Sequence, residues 1–146
     1  MSSTYKEPIF VGGMSGKLTQ FTSANGATFA DITTADVNGP VRIDSLSVSN
    51  DDTAAGVLQL KLSDGTNAYP VALAAVTANS LVNTGASAPL SLLAAANLAP
   101  FVGTDAAGNK FLELPQGWKL QAALVAAPTA GKTFNVQARW GVYAGA

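Results

Sequence analysis

The segment Thr133-Phe134-Asn135-Val136-Gln137-Ala138-Arg139-Trp140-Gly141-Val142 places Phe134, Val136, Ala138, Trp140 and Val142 on one side and Thr133, Asn135, Gln137 and Arg139 on the other. Successive side chains of an extended chain point to opposite faces, so this period of two predicts a β-strand with one buried and one wet face.

The same alternation recurs upstream, each run bounded by Gly, Pro, Asn or Asp, as in an antiparallel β-domain. In Val41-Arg42-Ile43-Asp44-Ser45-Leu46-Ser47-Val48-Ser49 the apolar phase is odd through Ile43 and even from Leu46, which predicts a bulge near Asp44-Ser45. Leu58, Leu60 and Leu62 are set to pair with Tyr69, Val71 and Leu73 across the turn Ser63-Asp64-Gly65-Thr66-Asn67. Pro70 cannot donate to a ladder, so that second strand belongs at an edge or has its residue 70 nitrogen facing away from the partner. Phe111-Leu112-Glu113-Leu114 and the run containing Trp118, Leu120, Ala122 and Leu124 flank Pro115-Gln116-Gly117 and predict a second hairpin. Thr28–Thr33 reads as a further strand, followed by a turn at Asp36-Val37-Asn38-Gly39-Pro40. Pro8–Val11 and Lys17–Phe21 read as short extended segments.

Between Ala78 and Ala99 the alternation disappears, and Pro89–Leu98 predicts one short helix docked through Leu90, Leu93 and Leu98. About seven to nine short strands with one excursion give an all-β fold, an antiparallel β-sandwich for which a jelly roll is one available topology. The expected organisation is an N-terminal arm or peripheral strands over residues 1–27 and a β-sandwich domain over 28–146.

Composition narrows function. The 146 residues include no histidine and no cysteine, which removes Ser-His-Asp and Cys-His catalysis and the ordinary zinc sites. Charged residues make up 12% of the chain, against about 25% in a typical soluble domain. With 8 Lys and Arg against 9 Asp and Glu there is no basic excess for phosphates or anionic lipid, so neither nucleic acid nor membrane is an expected partner. The apolar runs are too short to span a bilayer, and Met1–Pro8 does not resemble a secretory signal, so synthesis in the cytoplasm is expected. So sparse a surface charge fits faces meant for burial against other subunits.

The chemical candidates resolve into turns. A carboxylate pair is the remaining catalytic route, but no acidic pair is placed in an evident cleft, so no catalytic residue, cofactor or metal ligand is assigned and no enzyme is expected. Asp51-Asp52 reads as a turn closed by short polar side chains, with calcium binding as the alternative, and Thr104–Asn109 as a plain turn. Gly12, Gly13 and Gly16 lack the GxxxxGK[ST] pattern of a phosphate loop. Trp118 and Trp140 are in phase with apolar faces and belong to the core ahead of a sugar platform. Arg42, Lys61, Lys119 and Arg139 alternate with apolar residues and are expected on solvated faces. Tyr5, Pro8, Ile9, Phe10 and Val11 have little local reason to fold on themselves and form the candidate interface arm, anchoring in a neighbouring subunit.

Four stretches carry a resemblance: Arg42–Ala54, Leu58–Tyr69, Gly108–Leu120 and Thr129–Val136. They read as an I-x-S-L-x-V-S-N-x-D-T-A strand and turn, a D-G-T-x-Y hairpin, an L-P-x-G hairpin and a T-A-G-K-T-x-x-V closing strand. Together they resemble small virion proteins of tailed bacteriophages, over roughly Lys17 to Val142.

That resemblance implies a capsid decoration or cement protein, bound to the outside of the head and bracing it. It implies the major capsid protein and further copies of the chain, as dimer or trimer, as partners, and the capsid exterior as location. The alternative is a receptor- or glycan-binding module of a tail or head fibre.

Overall fold

The computed structural model describes residues 10–36, 39–80 and 88–143. Among the described residues ten strands follow one another: β1 (Phe10–Phe21), β2 (Ala30–Asp31), β3 (Val41–Asn50), β4 (Gly56–Ser63), β5 (Ala68–Val76), β6 (Leu90–Ser91), β7 (Val102–Thr104), β8 (Lys110–Leu114), β9 (Lys119–Leu124) and β10 (Phe134–Tyr143). One sheet has the order β1-β10-β3-β8-β7, with β6 also on β3, and the other β2-β9-β4-β5. The protein is an all-β sandwich of two antiparallel sheets.

Its topology is a rolled ribbon. β4 pairs with β5, β3 with β8, β2 with β9 and β1 with β10, all antiparallel, so the two halves of the chain lie alongside each other around the β4–β5 turn. Rolling that ribbon brings β10 onto β3 and β9 onto β4, which gives the jelly-roll order.

The alternation of residues 133–142 becomes the centre of the larger sheet. Phe134, Val136, Ala138 and Trp140 are buried, and β10 is hydrogen-bonded on both sides. The expected bulge is at Asp44: Arg139 faces Ser45 and Trp140 faces Ile43, so one extra residue stands on β3. It lets Val41 and Ile43 point inward together with Leu46 and Val48, although their sequence phases differ. They meet Leu58, Leu60, Leu120, Ala122 and Leu124 from the other sheet in one core.

Four expectations need correction. Phe111–Leu114 and the Trp118–Leu124 run do not form a hairpin; β8 lies in one sheet and β9 in the other. The turn between them, with Trp118 N–H donating to Pro115 O at 3.1 Å and Gly117 at φ +81°, carries the chain across the sandwich. Both strands already have neighbours on either side, so neither has an edge left for the other. In the first hairpin the register slips between Leu60/Ala72 and Lys61/Pro70, leaving Val71 as the extra residue. Ala74 and Val76 therefore face the core and Leu73 faces out, while β5 is an edge strand, as Pro70 requires.

The strand expected over Thr28–Thr33 shrinks to Ala30–Asp31, because Ile32 N–H and Thr33 N–H both turn to Leu120 O. The short helix is present as two 3₁₀ turns, Leu92–Ala94 and Ala96–Phe101, separated by extended Ala95. Leu93 and Leu98 are buried as expected and Leu92 joins them, whereas Leu90 pairs with Val48 in the sheet.

Phe10–Phe21 is a single edge strand, so the backbone of Phe10 and Val11 belongs to the larger sheet. Tyr5, Pro8 and Ile9, and part of the turn at Asp36–Pro40, lie outside the described residues.

Trp140→Ala is expected to lower the unfolding free energy by about 3–5 kcal/mol, read from urea unfolding. Deleting Asp44, the extra residue of the bulge, leaves Val41 and Ile43 in one regular alternation with Leu46 and Val48, so it is expected to lower stability less than Trp140→Ala in the same measurement, chiefly through loss of the 2.8 Å ion pair with Arg42.

Candidate interaction surface

The acidic side chains act mainly as acceptors that fix connections. At the end of the sandwich where β3 runs into β4, Asp51 Oδ1 accepts Thr133 N–H at 2.7 Å and Asp52 Oδ2 accepts Thr129 N–H at 2.8 Å. Asp52 Oδ1 accepts Ala54 N–H, Asn50 Oδ1 accepts Asp52 N–H, and Asn50 Nδ2 donates to Ala54 O and Thr77 O. This knot ties the ends of β3 and β5 to the start of β4 and to the β9–β10 connection. It is the turn reading of Asp51-Asp52 in full, with both Asp52 oxygens accepting backbone N–H groups.

The Thr104–Asn109 segment is likewise a turn, joining β7 to β8. Asp105 Oδ1 accepts Ala107 N–H and Asn109 N–H, each at 2.9 Å, and Gly108 adopts φ +88°. Asp105 Oδ2 reaches across to Arg42 Nη2 at 2.9 Å, while Arg42 Nε donates to Asp44 Oδ1 at 2.8 Å.

Arg42 corrects the expectation of a solvated face: its side chain is only 11% exposed. Its guanidinium lies 4.1 Å from the centroid of Phe111, and the Phe111 ring covers Gly103 on the neighbouring strand. A planar cation between a ring and two carboxylates is held by stacking and by directed hydrogen bonds together. Arg139 is exposed as expected, and half-buried Lys61 stands 3.9 Å over the Phe29 ring.

Asp31 stitches the two sheets along one side. Lys119 Nζ donates to Oδ2 at 3.0 Å, Gln121 Nε2 to Oδ1 at 2.9 Å, and Lys17 Nζ from β1 to the Asp31 carbonyl at 2.7 Å. Burial raises the Asp31 carboxyl, but Gln121, Lys119 and Lys17 outweigh it and hold the group below its ordinary value. Asp52, Asp64 and Asp105 are held low chiefly by the backbone N–H groups of Thr129, Asn67 and Asn109 respectively. Among the described residues, no three His, Cys, Asp or Glu side chains come together as a metal site.

One part of the remaining surface is apolar. Val57, Leu73 and Val125 are exposed on the outer face of the smaller sheet, Val125 to 60%. Val57 pairs with Ala75, Gln59 with Leu73, and Val125 N–H donates to Val57 O, so these side chains form one strip. The strip runs into a cleft of about 350 Å³ lined by Asp52, Ala54, Ala55, Gly56, Val57, Val125, Ala126, Ala127, Pro128, Thr129 and Phe134. Gly56 is what admits the Phe134 ring to this cleft, since a Cβ there would stand 2.6 Å from Cζ.

No sequence motif marks this cleft. Its walls are Ala, Val and Pro, residue types without a signature, brought together only because the β3–β4 and β9–β10 connections share one end. Of the two tryptophans, Trp140 is in the core, whereas Trp118 is half-buried and stacks with Tyr69 at 6.1 Å and 22°.

No family model and no curated protein matches the chain. Among solved structures it is distantly similar to a pentameric capsid protein isolated from metagenomic phage sequences, at 13% identity and a TM-score of 0.41, over 97% of this chain and 67% of that one. A second structure of such a protein aligns at 13% identity and a TM-score of 0.42, over 97% and 71%. The Drosophila NLP core, described in terms of pentamer formation and histone binding, aligns at 9% identity and a TM-score of 0.46, over 89% and 97%.

The lowered carboxyls give a pH dependence of definite sign. A carboxyl held below its ordinary value stabilises the fold while ionised, so this contribution is present above about pH 4 and is lost as pH falls through the lowered values. Asp52→Asn is expected to lower the thermal midpoint at neutral pH and to flatten its fall between about pH 5 and pH 2, followed by circular dichroism.

Proposed function

We propose that the chain is a bacteriophage capsid decoration protein that binds the outer surface of the head and braces it through contacts between subunits. The observation that carries this reading is where the four virion-type motifs fall in the fold. Arg42–Ala54 supplies the bulged strand and the aspartate knot, Leu58–Tyr69 the hairpin at the turn of the ribbon, Gly108–Leu120 the crossing between sheets, and Thr129–Val136 the other half of the knot. The motifs are thus instructions for building a rigid body.

The chemistry on the surface agrees with a role in assembly ahead of catalysis. The carboxylates of Asp52, Asp105 and Asp31 are engaged with backbone N–H groups, Arg42 or Lys119. An apolar strip and cleft offer area for contact, and many weak contacts repeated over a head add up through avidity. The chain works as a small symmetric oligomer, dimer or trimer, with Tyr5, Pro8, Ile9, Phe10 and Val11 anchoring it to capsid or neighbouring copies, and no enzymatic step is involved.

One observation favours a second reading, a glycan-binding module of a fibre. Tyr69, 46% exposed, lies nearly parallel to Trp118 at the surface, and its hydroxyl donates to Asp64 Oδ2.

Purified chain added to heads lacking it is expected to bind saturably to the outside and to raise their resistance to heat. Removing Met1–Val11 is expected to lower occupancy. Failure to bind heads, together with quenching of tryptophan fluorescence by an oligosaccharide, would overturn decoration in favour of the fibre module.

A further inference from the structure

The cleft beside Phe134 has a chemistry that selects its occupant. Apart from Asp52, whose oxygens already accept Ala54 N–H and Thr129 N–H, its lining carries no charged side chain. At about 350 Å³ it is the size of one or two side chains, at the small end of ligand pockets. Alanine, valine and proline walls beside an aromatic ring suit an apolar side chain, and the adjoining strip of Val57, Ala75 and Leu73 suits the chain that carries it.

Tyr5, Pro8 and Ile9 have that character, and the segment Tyr5–Ile9 that carries them, with Lys6 and Glu7 between Tyr5 and Pro8, leads directly into β1. Its attachment decides which cleft it can reach. β1 starts where Phe10 faces Tyr143 and ends where Phe21 faces Phe134, so Tyr5–Ile9 is tethered at the far end of the sandwich from the cleft. From Tyr143 to Phe134 is about 30 Å at the rise of a β-strand. Tyr5 stands five residues before Phe10 and extends at most about 18 Å from it. The tether is too short for Tyr5 or Ile9 to fill the cleft of its own chain.

We infer that the cleft formed by the β3–β4 and β9–β10 connections is the acceptor for residues Tyr5–Ile9 of a second copy of this chain. The contact is head-to-tail: donor segment at one end, acceptor at the other. Such a contact either closes a ring or continues from copy to copy. It rests on the assembly reading above only in taking this segment as an interface arm; it needs no capsid.

The chain has no cysteine, so cross-linking starts from a clean background. Tyr5→Cys and Ala127→Cys variants are purified separately, mixed and oxidised, with Tyr5→Cys mixed with Thr66→Cys as control; Ala127 and Thr66 are both exposed, and Thr66 lies in the β4–β5 turn at the end of β4 away from the cleft. The expected result is a mixed disulfide dimer formed several-fold faster with Ala127→Cys than with Thr66→Cys, and the same preference with Val125→Cys in place of Ala127→Cys.

Equal rates for cleft and control positions, in free chain and on heads alike, would overturn the inference. So would a doubly substituted chain that closes on itself at high dilution. Head binding is scored separately: cross-linking without head binding removes the decoration reading alone, and head binding without preferential cross-linking removes this inference alone.

Discussion

The pairing of β10 with β3 is the contact on which the rest of the architecture depends. Apart from that pairing and the one between β4 and β9, the strand pairs β4–β5, β3–β8, β2–β9 and β1–β10 describe only a ribbon whose halves lie side by side around the β4–β5 turn. Joining β3 and β10 closes the larger sheet, sets the smaller one opposite, and shuts the core between Trp140, Ile43 and the leucines of β4 and β9. The join requires the two apolar patterns to coincide, and they do so only because Asp44 stands outside the register.

The ends of the roll are held by a different kind of force. Asp51, Asp52, Asp64 and Asp105 each accept at least one backbone N–H in a connection between strands. Buried or constrained N–H groups need an acceptor, and a short carboxylate supplies one without lengthening the turn. Much of the small acidic complement is therefore committed to geometry, which accounts for a surface that is poor in charge without being poor in turns. Arg42 follows the same logic, closing the β7–β8 turn over Phe111 instead of meeting solvent.

Strand identity was readable because alternation is local: the bulge at Asp44, the edge placement of Pro70 and the burial of Trp140 all follow from neighbours in sequence. Pairing was less so. The Pro115-Gln116-Gly117 turn looks the same whether the strands it joins share a sheet or face each other across a core, and what decides is that β3, β7, β2 and β4 already occupy the edges of β8 and β9. The outward turn of Leu73 depends on one unpaired residue, Val71, beside a proline that cannot donate. The burial of Arg42 depends on Asp105, sixty-three positions away.

The sequence by itself determined the class of the molecule: β-strands from period-two alternation, turns from Gly, Pro, Asn and Asp, and a chain without the side chains of histidine or cysteine chemistry. Those are properties of residues and their near neighbours. Only the tertiary structure decided how the strands are shared between two sheets, which charges are enclosed, and that connections remote in sequence assemble an apolar cleft at one end. The reason is that packing against a partner far along the chain is set by which edges and faces remain free once the ribbon rolls, and no local pattern encodes that remainder.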